Sequence, residues 1–145
     1  MAASAECLAP GASIGILGGG QLGRMLALAA ARLGYRIHIY CPEADCPGAQ
    51  VSARATVAAY DDTAALERFA AAVDVVTYEF ENIPLATATF LAARRPVRPD
   101  PEALRIAQDR FEEKRFLEAT GIATAPFQAV DGAGEPHITY STVTA

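Results

Sequence analysis

Short apolar runs alternate with longer helical stretches along the first two thirds of the chain. The run Ile14–Leu17 stops at three glycines, which is typical of a strand buried on both faces. Residues 21–33 are rich in Leu, Ala and Met and are followed by Gly34, so they predict a helix closed by glycine. Residues 36–40 alternate between polar and apolar side chains and predict a second strand.

The alternation continues beyond this first unit. Strands that alternate with helices predict a parallel sheet covered by helices on both faces, and Ile14–Leu17 and Val73–Tyr78 are its expected central strands. The further predicted elements are a weak third strand over Ala55–Ala59, a helix from a cap at Asp61 or Asp62 to about Ala72, the strand Val73–Tyr78, a helix with Pro84 in its first turn, and a short edge strand over Pro96–Pro99.

The character of the sequence changes at Asp100. Residues 101–116 are charged and predict one amphipathic helix, Gly121 stops the helical stretch, and Ala123–Val130 predicts a strand that opens a new element. We therefore expect an α/β fold in three parts, which are a flexible tail (1–12), a Rossmann-like domain with a parallel sheet (13–99), and linker helices with the start of a second domain (100–145).

The composition argues against several classes of protein. A chain of 145 residues that is 52% hydrophobic can bury a core without disulfides or structural metal. The net charge of −5 argues against a nucleic-acid or anionic-membrane binder, and no apolar stretch is long enough to span a membrane. The N-terminus lacks a signal-peptide pattern. Cys7, Cys41 and Cys46 lack zinc-like spacing, so they are expected to be ordinary, unligated thiols in a cytoplasmic protein.

A glycine-rich loop separates the first predicted strand from the first helix. Gly18, Gly20 and Gly23 match the pattern G-x-G-x-x-G, in which glycines let the backbone approach a ligand and the helix N-terminus offers N–H groups to an anion. Glu43 lies 20 residues after Gly23, where a dinucleotide fold places a ribose-binding carboxylate. The motif alone leaves three interpretations open: a dinucleotide site, a site for another phosphate-bearing ligand, or a packing turn.

Two carboxylates and an amide follow the fourth predicted strand. The carboxyl end of a parallel strand lies at the ligand-binding edge of the sheet, where Glu79 and Glu81 could accept hydrogen bonds from ribose hydroxyls or an amine. Alternatively, Asn82 caps the helix that begins at Pro84, and Glu81 stabilises its N-terminus. Capping leaves Glu79 unexplained, so Glu79 is the candidate functional residue.

Three longer segments give the sequence a specific resemblance. They are IGILGGGQLGRMLALAAARLGY from Ile14, DVVTYEFENIP from Asp74 and PDPEALRIAQDRFEEKRFLEATGIATAPF from Pro99. Over about residues 13–130 the chain resembles the N5-carboxyaminoimidazole ribonucleotide synthetases of purine biosynthesis, in the ATP-grasp superfamily. The resemblance implies a preATP-grasp domain that binds no dinucleotide. It also implies an ATP-dependent carbon–nitrogen ligase, which carboxylates 5-aminoimidazole ribonucleotide with bicarbonate through carboxyphosphate.

The resemblance also assigns roles to individual residues. Arg110 matches a basic residue that binds ATP, and Lys114 matches a lysine that recurs one helical turn later. The alternative for Lys114 is a surface pairing with Arg110 or with Glu118. The residues that match substrate-binding positions are Gly20, Gln21, Leu22 and Glu79.

The implied cofactors are ATP and Mg²⁺, and the implied partners are small molecules: aminoimidazole ribonucleotide, bicarbonate and ATP. The full-length enzymes are expected to be cytoplasmic homodimers. Catalytic residues and metal ligands are expected beyond Ala145, so we expect an incomplete chain that is inactive alone, binds no ATP tightly and leaves Arg110 exposed. Two alternatives remain at this point: an NAD(P)-binding oxidoreductase domain and a non-catalytic binding module.

Overall fold

The computed structural model describes residues 7–127 and 129, which form an α/β fold around a parallel sheet. Its elements are β1 Ser13–Leu17, α1 Gln21–Arg32, β2 Arg36–Cys41, β3 Arg54–Val57, α2 Thr63–Ala71, β4 Val75–Tyr78, α3 Leu85–Ala92, α4 Pro101–Ala107 and α5 Arg110–Ala119. The four strands lie in the order β3-β2-β1-β4, and each neighbouring pair is parallel. The predicted fold class is therefore confirmed, and all four strands point their carboxyl ends to one edge of the sheet.

Two apolar clusters cover the faces of this sheet. Successive side chains of a strand point to opposite faces, so the neighbours Ile16 and Leu17 of β1 belong to different clusters. Ile16 packs in a cluster that includes Ala27 of α1, whereas Leu17 packs in one that includes Phe69 of α2. Helices on both faces explain why the run Ile14–Leu17 of β1 is continuously apolar and does not alternate with polar residues.

Two helix ends follow directly from the sequence. The Asp62 side chain accepts a hydrogen bond from the N–H of Ala65 over 2.9 Å, which confirms one of the two predicted caps of α2. Gly34, just beyond α1, has φ of +84°, a conformation that glycine adopts without steric cost. Asp62 thus marks the start of α2, and Gly34 lies in the turn between α1 and β2.

The strand predictions at the β4 side of the sheet are only partly confirmed. β4 begins at Val75 and lies at the end of the four-stranded order, so the prediction that it is central is wrong. Asp74 lies just before the strand, where its N–H donates to the carbonyl of Ser13 and its carboxylate accepts the N–H of Ser13, each over 2.8 Å. The predicted edge strand Pro96–Pro99 is reduced to a single parallel bridge between Val76 and Val97.

The single helix predicted over 101–116 is wrong, because the structure divides it into α4 and α5. The Asp109 side chain accepts hydrogen bonds from the N–H groups of Phe111 and Glu112, so a new helix begins after it. Residues 122–127 form no strand, which corrects that part of the prediction for 123–130. Positions 128 and 130 and the predicted irregular stretch 131–145 lie outside the described residues.

The chain divides into two compact units, one that ends at Leu104 and one that begins at Arg105. The first contains the sheet, both apolar clusters and the glycine-rich loop. The second contains α5 and the residues that follow it.

Candidate functional site

The glycine-rich loop and Glu79 meet at the carboxyl edge of the sheet. Glu79 follows β4, and its own N–H donates to the carbonyl of Leu17 over 3.1 Å, which places its side chain beside the start of α1. Its carboxylate accepts the N–H of Gly20 at Oε1, over 2.8 Å, and the N–H of Gly23 at Oε2. The half-buried carboxylate therefore fills part of the anion-binding site that the sequence predicts for a ligand.

The three motif glycines have different roles in this contact. Gly18 has φ of +99°, and a Cβ there would lie 2.6 Å from Glu79 Cγ. A Cβ on Gly23 would lie 2.8 Å from the carbonyl oxygen of Gly18, which is backbone and cannot move aside. Gly20 has φ of −70°, and its Cβ would meet only the Glu79 carboxylate, whose nearest atom, Oε1, would lie 3.1 Å away. Glycine is thus required most strictly at positions 18 and 23.

An open cleft of about 460 Å³ lies next to the loop. Three of the residues that line it carry carboxylates, and none is a lysine, arginine or histidine. Such a lining favours a neutral or donor-rich group over a phosphate or another anion. The lining residues are Gly18, Gly19, Gly20, Pro42, Glu43, Asp45, Cys46, Pro47, Tyr60, Glu79 and Phe80.

Tyr60 is a cleft residue that sequence reasoning missed. It lies between β3 and α2, and its ring stacks on that of buried Tyr40, with the ring centroids 5.9 Å apart. Burial, with the nearby charges of Glu43 and Glu79, raises the pKa of Tyr60 to about 12. The rule that identified Glu79 would have found it, because the loop after β3 ends at the same edge of the parallel sheet.

Gln21 and Leu22 form the exposed first turn of α1. No hydrogen-bond acceptor for their N–H groups is found in the part of the chain that the structure describes. The first N–H groups of a helix have no partner within the helix, so these two donors remain available to a ligand. Together with Gly20 and Glu79, they bring all four predicted substrate-binding positions to one place.

The other residues of the acidic segment lie differently. The N-cap of α3 is Pro84, without a side-chain hydrogen bond, so the prediction that Asn82 caps this helix is wrong. Glu81 and Asn82 are exposed, and neither is among the residues that line the cleft. Glu43, the residue that suggested a dinucleotide site, does line the cleft.

Cys41 and Cys46 are paired as a disulfide beside the loop, so the prediction of unligated thiols at these positions is wrong. Cys41 ends β2, and the turn that follows returns Cys46 to it. A Cβ on Gly19 would collide with the sulfur of Cys46 and lie 2.8 Å from that of Cys41. The sulfur pair therefore packs directly on the loop, while Cys7 is a free, exposed thiol.

Arg110 and Lys114 lie on α5, in the second compact unit. Arg110 pairs with Glu113, and its side chain is 76% exposed, which confirms the expected exposure. Lys114 donates to the carbonyl of Ala125 over 3.2 Å, and its ammonium lies 5.4 Å from the ring centroid of Phe127. Neither predicted partner of Lys114 contributes to these contacts.

The described part of the chain, residues 7–127 and 129, contains neither a metal-binding cluster nor a membrane-spanning helix. Within these limits, no group of three or more His, Cys, Asp or Glu side chains is arranged to hold a metal ion. Among the described helices, none combines the length and the apolar character that crossing a membrane requires.

The chain is similar to several N5-carboxyaminoimidazole ribonucleotide synthases and synthetases. The N5-carboxyaminoimidazole ribonucleotide synthase of Brucella melitensis is 60% identical over 124 residues, which are 86% of this chain and 34% of that protein. The synthetase structure from Thermus thermophilus has 48% identity and a TM-score of 0.77, and the match covers 82% of this chain and 33% of that one.

A third relative was solved with ligands. The Aspergillus clavatus synthase, in complex with ADP and 5-aminoimidazole ribonucleotide, is 31% identical with a TM-score of 0.72, over 81% of this chain and 31% of that one. The chain thus spans about a third of the length of these relatives. The family model of the ribonucleotide synthetase preATP-grasp domain matches residues 12–108, which is more than half of the chain. This chain therefore belongs to the ribonucleotide synthetase preATP-grasp domain family.

Proposed function

We propose that this chain supplies the ribonucleotide-binding part of an ATP-dependent ligase that carboxylates 5-aminoimidazole ribonucleotide with bicarbonate, through carboxyphosphate. The observation that carries the proposal is the Glu79 carboxylate, which Gly20 and Gly23 hold at the wall of the acidic cleft. Support also comes from the Aspergillus clavatus synthase, a relative solved with ADP and 5-aminoimidazole ribonucleotide.

The carboxylates that line the cleft indicate which part of the ribonucleotide it binds. Each oxygen of Glu79 accepts one backbone N–H and keeps a further lone pair for a ligand donor. Glu43 and Asp45 add negative charge to the same lining. We therefore place the ribose hydroxyls in the cleft and the phosphate outside it, because a phosphate beside three carboxylates would be repelled.

In this placement the glycine-rich loop binds the ribosyl group of the phosphate-bearing ligand and not its phosphate. Glu79 takes the N–H groups of Gly20 and Gly23, so Gln21 and Leu22 provide the remaining donors at the start of α1. We assign these two N–H groups to an oxygen of the ribosyl group. All four predicted positions then contact or position the substrate, and none of them carries out a chemical step.

The nucleotide belongs to another part of the proposed enzyme. We propose that residues 100–145 link the first domain to an ATP-grasp domain and that Arg110, exposed on α5, contacts ATP. The described residues contain no cluster that fits Mg²⁺, so we place no metal ion on them and derive no step through one. We further propose that the complete enzyme is a cytoplasmic homodimer, as the sequence resemblance implies.

The test is a nuclear magnetic resonance titration of the isotopically labelled 145-residue chain with 5-aminoimidazole ribonucleotide. We expect saturable shifts of the amide signals of Gly20, Gln21, Leu22 and Gly23. The variant Glu79→Gln should weaken binding about tenfold or more, because the amide nitrogen it introduces cannot accept a hydrogen bond. The matched control Glu67→Gln changes a surface carboxylate of α2 that pairs with Arg94, and it should bind as the parent chain does.

Two results would contradict the proposed function. One is the absence of saturable shifts in the parent chain at millimolar ribonucleotide. The other is micromolar binding of NADH at the same amide signals, which would favour the dinucleotide interpretation of Gly18, Gly20, Gly23 and Glu43.

A further inference from the structure

Tyr60 lines the cleft, and its contacts with core residues fix its position. Tyr60 stacks on buried Tyr40, with 28° between the ring planes, and its carbonyl accepts the hydroxyl of buried Thr87 over 2.7 Å. The Tyr60 ring is therefore held from its face and from its backbone, and it lines the same cleft as Glu79.

The Tyr60 hydroxyl has no hydrogen-bond partner among the described residues. It is also not a buried orphan, because over the same residues the buried side-chain atom without a partner is His38 Nδ1. The hydroxyl is therefore accessible to solvent, on a residue that lines the cleft. A tyrosine hydroxyl is protonated at neutral pH, and burial raises its pKa further, to about 12. It can therefore donate a hydrogen bond where the neighbouring carboxylates can only accept.

We propose that Tyr60 is a further substrate-contacting residue, which donates its hydroxyl proton to a ribose hydroxyl oxygen while the ribose diol donates to Glu79. A hydroxyl group is both a donor and an acceptor, and it is fully satisfied only where the protein offers one group of each kind. Glu79 offers the acceptor and Tyr60 offers the donor, in one cleft. The pair would distinguish a ribose from a deoxyribose. This inference rests on the proposed function, because it assumes that a ribonucleotide enters the cleft.

The experiment compares the parent chain with Tyr60→Phe, which removes only the hydroxyl and keeps the ring on Tyr40. The ligands are 5-aminoimidazole ribonucleotide and its 2′-deoxy and 3′-deoxy forms, and their dissociation constants are measured by titration. Tyr35→Phe is the matched control, because its hydroxyl bonds to the carbonyl of Leu8 and it does not line the cleft. Thermal unfolding of each variant measures any change in the fold.

We expect Tyr60→Phe to weaken binding of the ribonucleotide about three- to tenfold, as for the loss of one neutral hydrogen bond. In the parent chain, one of the two deoxy forms should bind more weakly than the ribonucleotide because it lacks the hydroxyl that contacts Tyr60. In Tyr60→Phe this difference in affinity should shrink by the same factor, because the variant has already lost that contact. Tyr35→Phe should leave all three dissociation constants unchanged.

Different outcomes identify different errors. Unchanged ribonucleotide binding by Tyr60→Phe would overturn the role of the hydroxyl and leave the proposed function standing. Equal weakening for all three ligands would show that the variant alters the shape of the cleft, which also overturns the inference. No binding to the parent chain would contradict the proposed function itself, and the Tyr60 contact with it.

Discussion

The backbone N–H of Gly20 donates to Glu79 Oε1 over 2.8 Å and joins the start of α1 to the end of β4 across 59 positions of sequence. The same carboxylate accepts the N–H of Gly23 at its other oxygen. Glu79 therefore caps α1 from a distant strand, a role that sequence-local caps such as Asp62 and Asp109 perform from the residues just before their own helices. The candidate ligand-binding residue therefore also holds the start of α1 to the end of β4.

The first prediction concerns this cap. Glu79→Ala leaves two N–H groups at the start of α1 without their acceptor, and we expect a loss of about 1–2 kcal/mol in the free energy of unfolding. Urea denaturation followed by circular dichroism measures it. Glu67→Ala, at an exposed ion pair with Arg94, should cost clearly less, because exposed ion pairs contribute little to stability. Equal losses for the two variants would show that Glu79 does not stabilise α1.

The second prediction separates the glycines of the motif. Gly18→Ala and Gly23→Ala should each lower the free energy of unfolding by more than about 1 kcal/mol. The first forces alanine into a positive φ, and the second places a Cβ against a backbone oxygen. Gly20→Ala should cost less than either, because its φ is −70° and its single close contact is a side-chain oxygen at 3.1 Å. The three variants are compared by urea denaturation, and a larger loss at Gly20 than at Gly18 would contradict this order.

The third prediction is a pH dependence that arises from His38. This residue is 3% exposed, its Nε2 hydrogen-bonds with Thr56 Oγ1 over 2.8 Å, and burial with nearby Arg54 lowers its pKa from 6.5 to about 4. The unfolded chain takes up a proton below pH 6.5, whereas the folded chain does so only near pH 4. The stabilising contribution of neutral His38 is therefore complete above pH 6.5, and it decreases by up to about 1.4 kcal/mol per pH unit down to pH 4.

Urea denaturation of the parent chain and of His38→Leu at pH 7.5 and pH 4.5 tests this origin. The free energy of unfolding should fall less in the variant than in the parent chain between these two values. Carboxylates titrate in both proteins, so only the difference between them reports on His38. The same fall in both would assign the acid sensitivity to other groups.

The sequence predicts most of the scaffold because its signals there are local. The apolar run before Gly18 defines β1, the glycine after α1 ends that helix, and Asp62 caps α2. Parallel topology then follows from the alternation of strands and helices, and it places the loop and Glu79 at one edge. That single topological rule explains why the candidate site could be anticipated.

The remaining features depend on side-chain contacts that cannot be inferred from the pattern of apolar and polar residues. The break between α4 and α5 depends on the Asp109 side chain, although the apolar pattern continues through it. The pairing of Cys41 with Cys46 depends on how the turn after β2 folds back. The sequence predicted only a ligand-binding role for Glu79, because its role as a cap depends on how close β4 lies to α1 in the folded chain. Tyr60 was missed although the same rule covers it, because the strand before it, β3, gives only a weak signal in the sequence.

The last prediction concerns the outer face of α1. This helix buries its small residues, Gly23 and Ala27, and exposes large apolar side chains instead. Phe116 of α5 and Ile122 just beyond it are 48% and 54% exposed as well. The exposed side chains on α1 and just beyond it are those of Leu22, Met25, Leu26, Leu28 and Leu33.

Met25→Lys should therefore reduce the binding of a hydrophobic dye and any concentration-dependent association seen in sedimentation. Because Met25 is 64% exposed, the free energy of unfolding should change by less than about 0.5 kcal/mol. Ala27→Lys is the contrasting variant on the same helix: Ala27 is fully buried against the sheet, and a lysine there should abolish cooperative unfolding. Undiminished dye binding by Met25→Lys would show that the apolar surface of α1 does not attract the dye. A large loss of stability in that variant would mean that Met25 is packed in solution.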